Sequence, residues 1–110
     1  MNKHGAKWIR PKKRLAIYDR DGHACVYCGR FSYSATGESC LLTLDHLQPR
    51  ELGGSNEASN LVTACFSCNS ARQNKSIRTW FKELRARGVN TDSIGRRIRR
   101  LVRKPLQEKS

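Results

Sequence analysis

The fold of this 110-residue chain is decided by residues 44–69, LDHLQPRELGGSNEASNLVTACFSCN. The stretch opens with an Asp45-His46 step, holds Asn60 near its middle, and ends with Asn69 directly after a Cys-x-x-Cys pair. A second Cys-x-x-Cys pair precedes it in the chain. A structural metal site would explain the cysteines, but it would not explain the Asp-His step or the final asparagine. These extra side chains therefore indicate a second role beyond stabilising the fold.

The two cysteine pairs predict a structural Zn²⁺ site. Cys25 and Cys28 form one pair, and Cys65 and Cys68 form the other. Each tight turn supplies two thiolates, and four thiolates complete a tetrahedron that leaves no open position for water. The alternative is that one or both pairs are free thiols. Cys40 lacks a Cys-x-x-Cys partner, so it is better interpreted as a small buried hydrophobe than as a replacement ligand.

Size and composition favour one small domain with a metal staple. Hydrophobic residues make up 37% of the chain, so the apolar core is expected to be thin. The N-terminus has no apolar segment typical of a signal peptide, and no apolar stretch is long enough to span a membrane. The expected compartment is therefore a reducing cytoplasm, that of a bacterial host cell, with no membrane partner.

The distribution of charge predicts a polyanionic partner. The chain has 22 Lys and Arg against 9 Asp and Glu, which gives a net charge of +13. Residues 1–20 hold seven basic and one acidic side chain, residues 21–70 hold two and five, and residues 71–110 hold thirteen and three. A mildly acidic centre between two basic flanks suits a cation-binding site set between DNA-binding arms. The alternative is a basic surface that serves only solubility.

The first half of the chain predicts a helix followed by a strand. Pro11 suits the first position of a helix, which Asp21-Gly22 would end. The apolar face of this helix is expected to contain Leu15, Ala16 and Tyr18, with Ile17 as a further candidate. Residues 31–39 are rich in Ser, Gly and Thr and predict a loop or an irregular hairpin. Residues 41–44 predict a short strand that runs into Asp45-His46 and is ended by Pro49.

The second half predicts another strand and three helices. Residues 60–64 suit a short strand, and the segment from Cys65 to about Lys75 should begin as a knuckle and continue as a helix. Ser76 can cap the next helix, which Gly88 would stop. A last helix is expected from Thr91 or Asp92 to Lys104. The predicted apolar stripes of these last two helices are Ile77, Trp80, Phe81 and Leu84, and Ile94, Ile98, Leu101 and Val102.

The polar residues of the central stretch suit phosphodiester hydrolysis. His46 is a suitable general base near neutral pH, and Asp45 is a hard oxygen ligand for Mg²⁺. Asn69 offers an amide oxygen as a second ligand, and Asn60 can fix either the loop or the base. Because adjacent strand residues point to opposite faces, Asp45 and His46 reach one phosphate only if the strand bends or the substrate enters at its end. The alternative is that these are turn and capping residues of a zinc-stapled DNA-binding module without catalysis.

Taken together, these motifs resemble the HNH endonucleases. The matching elements are Leu-Asp-His-Leu-x-Pro at 44–49, Gly53-Gly54, Asn60-Leu61 and Cys65-x-x-Cys68-Asn69-x-x-Arg72. More narrowly, the chain is similar to the small four-cysteine HNH nucleases of bacteriophages and bacteria over about residues 15–75. The resemblance implies an α+β fold with a ββα-metal core, in which a two-stranded hairpin and a helix clamp one divalent ion. It implies a flexible basic tail at 1–10, the nuclease domain at 11–88, and a basic helix at 89–110 packed on or extending that domain.

The resemblance also assigns roles to individual residues. His46 would be the general base, Asn60 would orient that base and its loop, and Asp45 and Asn69 would hold the catalytic ion. The four paired cysteines would hold the structural zinc. Arg72 stands where many relatives have Lys, and a phosphate contact would survive that change. The candidate DNA contacts are Arg72, Lys75, Arg96, Arg97, Arg99 and Arg100.

The function that the resemblance implies is a metal-dependent DNA endonuclease or nickase. Its expected cofactors are Zn²⁺ for structure and Mg²⁺, Mn²⁺ or another divalent transition metal for catalysis. Its expected partner is double-stranded DNA, and its products would carry 5′-phosphate and 3′-hydroxyl ends. A monomer or weak dimer is expected. Phage packaging proteins such as terminase or portal are further candidate partners, because DNA packaging is one process that uses this module.

Overall fold

The computed structural model describes residues 9–32 and 41–108. In chain order, its elements are helix α1 (Pro11–Arg20), strand β1 (Leu42–His46), strand β2 (Leu61–Cys65), and helices α2 (Phe66–Arg72), α3 (Ile77–Ala86) and α4 (Thr91–Val102). Two 3₁₀ turns, Arg50–Leu52 and Ala58–Asn60, lie between the strands. The predicted α+β class with a two-stranded sheet and a following helix is confirmed.

The two strands pair antiparallel, and the helix that follows them packs on the sheet. The register runs from Leu42 opposite Cys65 to His46 opposite Leu61. Every residue of β2 is buried, whereas β1 is mostly half-buried. Side chains of the neighbouring elements cover the open edge of β1: Tyr18 donates to the Leu42 carbonyl and Asn69 to the Leu44 carbonyl. Such coverage protects a two-stranded sheet that would otherwise be marginal.

Helix α1 is fixed to β2 by a buried ion pair at its C-terminal end. The Arg20 guanidinium lies 2.7 Å from the Asp21 carboxylate and also donates to the Leu61 carbonyl at 2.6 Å. The other oxygen of Asp21 accepts Arg20 Nη2 at 3.3 Å and the Thr63 amide at 2.8 Å. The helix ends where Asp21-Gly22 predicts, but its predicted apolar face needs correction. Ile17 is fully buried while Leu15 is 56% exposed, because the helix turns Ile17 toward the sheet.

The main core joins the cysteine-bearing segments to the two C-terminal helices. Val26 and Val62 pack with Trp80, Leu84 and Ile94 in one cluster. Ser76 caps α3 by accepting the Thr79 amide, as predicted, and Asn90 caps α4. The apolar stripe of α4 is buried at Ile94, Ile98 and Leu101, so this helix packs on the domain rather than projecting from it.

The described ends of the chain meet on the outer side of α1. Ile9 is buried against Ile17 and Leu61, and Arg10 pairs with Glu108 at 3.0 Å. Ile9 and Arg10, which stand in the segment predicted as a tail, therefore contact the rest of the described chain. Residues 1–8 and 33–40 lie outside the described residues, and with them lie Cys40 and most of the predicted loop at 31–39. None of the helices in the described ranges has the length and hydrophobicity needed to cross a bilayer.

Candidate active site and metal centre

The four paired cysteines converge on one point, as predicted. The sulfur atoms of Cys25, Cys28, Cys65 and Cys68 all lie within 4.8 Å of one another, and all four are free thiols. Cys65 ends β2 and also caps α2, because its sulfur accepts the Cys68 amide. Four sulfur ligands in a tetrahedral cluster are typical of a structural zinc site. The residues present therefore fit a closed metal site that joins the first knuckle to the sheet and to α2.

The protonation of this cluster shows why a cation suits it. A hydrogen bond from Cys68 lowers the pKa of Cys25 to about 4, so one thiolate forms readily. That same hydrogen bond to Cys25, together with burial, raises the pKa of Cys68. Burial also raises the pKa of Cys28, and the nearby charge of Cys25 raises it further. Four thiolates therefore repel one another, and a bound divalent cation would relieve this repulsion.

A second centre lies at the end of the sheet, in a cavity of about 460 Å³. The cavity brings together Asp45, His46 and Asn69, three of the four residues predicted to be catalytic. Its full lining is Leu44, Asp45, His46, Pro49, Arg50, Glu51, Asn69, Gln73 and Asn74. Asp45 and His46 keep the regular register of β1, opposite Val62 and Leu61, so the strand does not bend there. They share the cavity because they are the last two residues of the strand, which leaves its end open.

The Asp45 carboxylate is buried and firmly held on one side. Its Oδ2 accepts hydrogen bonds from the Tyr27 hydroxyl and from Arg72 Nη1, the latter at 2.7 Å. Burial raises the pKa of Asp45, and the positive charge of Arg72 opposes that shift. Burial also raises the pKa of Tyr27, with a further contribution from the Asp45 charge, so this phenol stays a neutral donor. Within the described residues Oδ1 of Asp45 accepts no hydrogen bond and remains available as an oxygen ligand.

Asn69 joins α2 to the edge of β1 through its amide nitrogen. Nδ2 donates to the Thr43 hydroxyl at 2.8 Å and to the Leu44 carbonyl at 3.2 Å. Because both bonds use the nitrogen, the Oδ1 atom of Asn69 is left as an acceptor at a residue that lines the cavity. The site therefore offers two uncommitted oxygens, one from a carboxylate and one from a neutral amide.

His46 is oriented by a residue that the sequence did not single out. His46 Nε2 lies 2.8 Å from Asn56 Oδ1. Since an amide oxygen only accepts, Nε2 carries the proton and Nδ1 carries the lone pair that a general base needs. The backbone carbonyl of Asn56 accepts a hydrogen bond from Lys13 Nζ at 2.6 Å, which connects Asn56 to α1. Asn56 stands in a polar loop, four residues before Asn60, where asparagine is common, so no sequence signal distinguishes it.

Asn60 holds the loop rather than the imidazole. Its Oδ1 accepts the Gln48 amide at 2.9 Å, and its Nδ2 donates to the Gln48 carbonyl at 3.1 Å and the Ser55 carbonyl at 2.9 Å. Of the two roles open to Asn60, fixing the loop or fixing the base, the described contacts include only the first. These three hydrogen bonds, called the Asn60 clamp below, set the path of residues 48–55, of which Pro49, Arg50 and Glu51 line the cavity.

Gly54 leaves no room for a side chain inside this clamp. A Cβ atom there would lie 1.7 Å from the Gln48 carbonyl oxygen and 3.0 Å from Asn60 Nδ2. Gly54→Ala is expected to lower the free energy of unfolding by about 1–3 kcal/mol, because the clash is with backbone and the loop must shift. Gly95→Ala is the matched control, since its Cβ would meet only side chains at 3.5 Å or more within a helix. Urea titration should show Gly54→Ala destabilised and Gly95→Ala unchanged or stabilised by up to about 1 kcal/mol.

Arg72 is an internal residue, and this corrects its predicted contact with phosphate. Its side chain is fully buried and donates to the Asp45 carboxylate and to the carbonyls of His46, Leu47 and Lys75. With its guanidinium committed in this way, Arg72 cannot reach a DNA backbone in this arrangement. Its role is to hold the Asp45 carboxylate and the backbone at the end of β1 in place.

Arg72→Met is expected to lower the free energy of unfolding by about 3–5 kcal/mol, because it leaves the Asp45 carboxylate buried without its ion pair. Asp45→Asn in the same background should restore part of that loss, and a double-mutant cycle in urea measures the coupling. Arg78→Met is the control at an exposed position of α3, with an expected change within about 0.5 kcal/mol. A loss below 1 kcal/mol for Arg72→Met would contradict this role.

The other predicted DNA contacts divide into committed and exposed side chains. Lys75 pairs with Glu83 at 2.7 Å, and Arg97 donates to the Val26 carbonyl at 2.7 Å, so it ties α4 to the first knuckle. Arg96, Arg99 and Arg100 are exposed on α4.

Comparisons with known proteins agree with this architecture. Residues 25–75 match the family model described as HNH endonuclease. Among solved structures, the chain is similar to the Type II-C Cas9 enzyme from Actinomyces naeslundii, with a TM-score of 0.55 and 24% sequence identity. That match covers 97% of this chain and 13% of the Cas9 chain, so it speaks for a shared fold. A search among curated proteins gave no match.

Proposed function

We propose that this protein, whose residues 25–75 match the HNH endonuclease family model, is a metal-dependent endonuclease that nicks double-stranded DNA. One observation carries the proposal: Asp45, His46 and Asn69 line a single open cavity, and each leaves a reactive atom uncommitted. The available atoms are a carboxylate oxygen, an imidazole nitrogen with a lone pair and an amide oxygen. A ligand pair beside a base is what single-metal phosphodiester hydrolysis needs.

His46 is the proposed general base. Its Nδ1 takes a proton from a water molecule, whose oxygen then forms the new bond to phosphorus. The bond between phosphorus and the 3′ oxygen breaks, which leaves a 5′-phosphate and, after protonation, a 3′-hydroxyl. The contact from Nε2 to Asn56 holds the lone pair on Nδ1 until Nδ1 takes that proton.

Asp45 and Asn69 are the proposed ligands of the catalytic ion. Mg²⁺ or Mn²⁺ bound by their free oxygens would supply positive charge for the departing 3′ oxygen. Arg72 already balances the Asp45 charge at 2.7 Å, and Asn69 is neutral. The two residues should therefore bind an ion weakly on their own, and phosphate oxygens of the DNA complete the site. We expect metal affinity and DNA affinity to reinforce each other.

The cysteine cluster and the basic helix have supporting roles in this proposal. Zn²⁺ held by the four thiolates keeps the helix that carries Asn69 against the sheet, and four protein ligands leave it no part in the chemistry. Arg96, Arg99 and Arg100 on α4 supply sequence-independent contacts to the DNA backbone. We assign residues 89–110 to the nuclease domain itself, because the apolar stripe of α4 is buried in the main core.

A plasmid assay distinguishes this function from a DNA-binding module without catalysis. Purified zinc-loaded protein is incubated with supercoiled plasmid in Mg²⁺, in Mn²⁺ or without either ion, and His46→Ala is the control for contaminating nucleases. We expect relaxed circles that require a divalent ion and disappear with the variant. DNA binding without cleavage under every metal tested would establish the binding module instead.

A further inference from the structure

The catalytic cavity needs a cationic side chain that faces substrate, and Arg72 is not available for this. A phosphodiester carries one negative charge, and its phosphoryl group gains more as water adds to phosphorus, so a side-chain cation beside the ion would stabilise the transition state. The residue that the family resemblance offers as a phosphate contact, Arg72, is fully buried and bonded to five internal acceptors. Any phosphate contact within the cavity must therefore come from another residue of its lining.

Arg50 is the one Arg or Lys among the described residues that line this cavity. No hydrogen bond or ion pair joins its guanidinium to another residue in the described ranges, and the residue is half-exposed. The neighbouring Glu51 also lines the cavity, and its carboxylate would repel a phosphate. The attraction must then come from Arg50, whose planar guanidinium can bind two phosphate oxygens at once.

The loop that carries Arg50 is held in place before substrate arrives. Arg50 begins a 3₁₀ turn after Pro49, and its own carbonyl accepts the Gly53 amide at 3.0 Å. The Gly54 amide donates to the Pro49 carbonyl at 3.0 Å, and the Asn60 clamp holds both ends of the loop. A guanidinium presented from a fixed backbone loses less conformational freedom when it binds an anion.

We propose that Arg50 is the phosphate-binding residue of the catalytic cavity, and that Arg72 has the separate task of holding Asp45. This inference rests on the proposed nuclease function. It assigns the two arginines nearest to the chemistry to different partners, one to the DNA backbone and one to the protein interior.

The test compares Arg50→Ala and Arg50→Lys with Arg78→Ala, an exposed arginine on α3 that lines no described cavity. The single-turnover rate of plasmid nicking should fall by about tenfold to a hundredfold in Arg50→Ala, because this variant loses one charged hydrogen-bond donor. Arg50→Lys should restore part of that rate. Arg78→Ala should stay within about twofold of the wild type, as a distant surface charge does. Thermal unfolding of each variant separates lost contacts from lost structure. Wild-type nicking by a folded Arg50→Ala would overturn the proposal.

A binding measurement keeps this test independent of catalysis. Affinity for a short duplex is measured without added Mg²⁺ or Mn²⁺, and without a chelator that would remove the structural zinc, over a range of salt concentrations. Removing one phosphate contact should reduce the slope of log affinity against log salt by about 0.9. We expect this reduction in Arg50→Ala and an unchanged slope in Arg50→Lys; an unchanged slope in Arg50→Ala would also overturn the proposal. Absence of nicking by the wild type would instead refute the nuclease function, and the salt slope would still decide the role of Arg50.

Discussion

Removal of the metal from the four-cysteine cluster is expected to unfold the protein. Structural zinc contributes about 10–16 kcal/mol in small zinc-binding domains, which exceeds most of the stability range of about 5–15 kcal/mol for whole domains. The cluster joins the first knuckle to the end of β2 and the start of α2. Apart from the sulfurs, the hydrogen bonds that hold this knuckle include Val26 to Thr63, Arg97 to Val26 and Tyr27 to Asp45.

Chelation and substitution test this expectation in different ways. Titration with a zinc chelator should release one Zn²⁺ per chain together with loss of helical circular dichroism and a shift of Trp80 fluorescence, since Trp80 is fully buried. Excess Mg²⁺ should not restore the fold, because a hard ion binds thiolates poorly. Cys65→Ser should fail to fold, since it removes one of the four sulfur ligands, whereas the serine oxygen can still cap α2.

Cys40→Ser is the matched control for the loss of a thiol. The sequence predicts that Cys40 is not a ligand, so this variant should keep its zinc and its circular dichroism. Retention of fold after complete zinc removal would contradict the structural role of the cluster. Loss of zinc in Cys40→Ser would show that the cluster uses a different set of ligands.

The local and the long-range features of this protein differ in how far the sequence predicts them. Cysteine spacing, helix caps and the position of Pro11 are local signals, and each places an element within a few residues. The convergence of Asp45, His46 and Asn69 also follows, because the family pattern encodes strand, loop and helix together. The burial of Ile9 is less predictable, because it depends on contacts with Ile17 and with Leu61, which is remote in sequence.

The sequence does not predict which groups the charged side chains contact. Arg72 and Arg97 lie in basic segments and suit phosphate contacts, yet the fold turns both toward internal carbonyls. A guanidinium can replace several missing backbone donors at an irregular strand end, and this use leaves no trace in composition. The role of Asn56 is not predictable from the sequence either, because its contact with His46 depends on the loop path that Asn60 and Gly54 set.

His46→Ala is expected to reduce the nicking rate by about a hundredfold to ten-thousandfold, the range for loss of a general base. The proper measurement is single-turnover cleavage at saturating DNA, so that only the chemical step is compared. DNA affinity without added Mg²⁺ or Mn²⁺ should be unchanged, because the imidazole contacts Asn56 and is not proposed to bind phosphate. A large loss of affinity would indicate a binding role instead of a role in proton transfer.

Asn56→Ala separates the base from its orientation. Without the amide oxygen the imidazole loses one hydrogen bond and its fixed tautomer, so the nicking rate should fall by about threefold to tenfold. Asn56→Asp keeps an acceptor at the same position and should recover much of the rate. Because Asn56 acts only through His46, the double variant should be no slower than His46→Ala alone. If the two losses instead multiplied, Asn56 would touch the substrate directly, and the pairing of base and positioning residue would have to be abandoned.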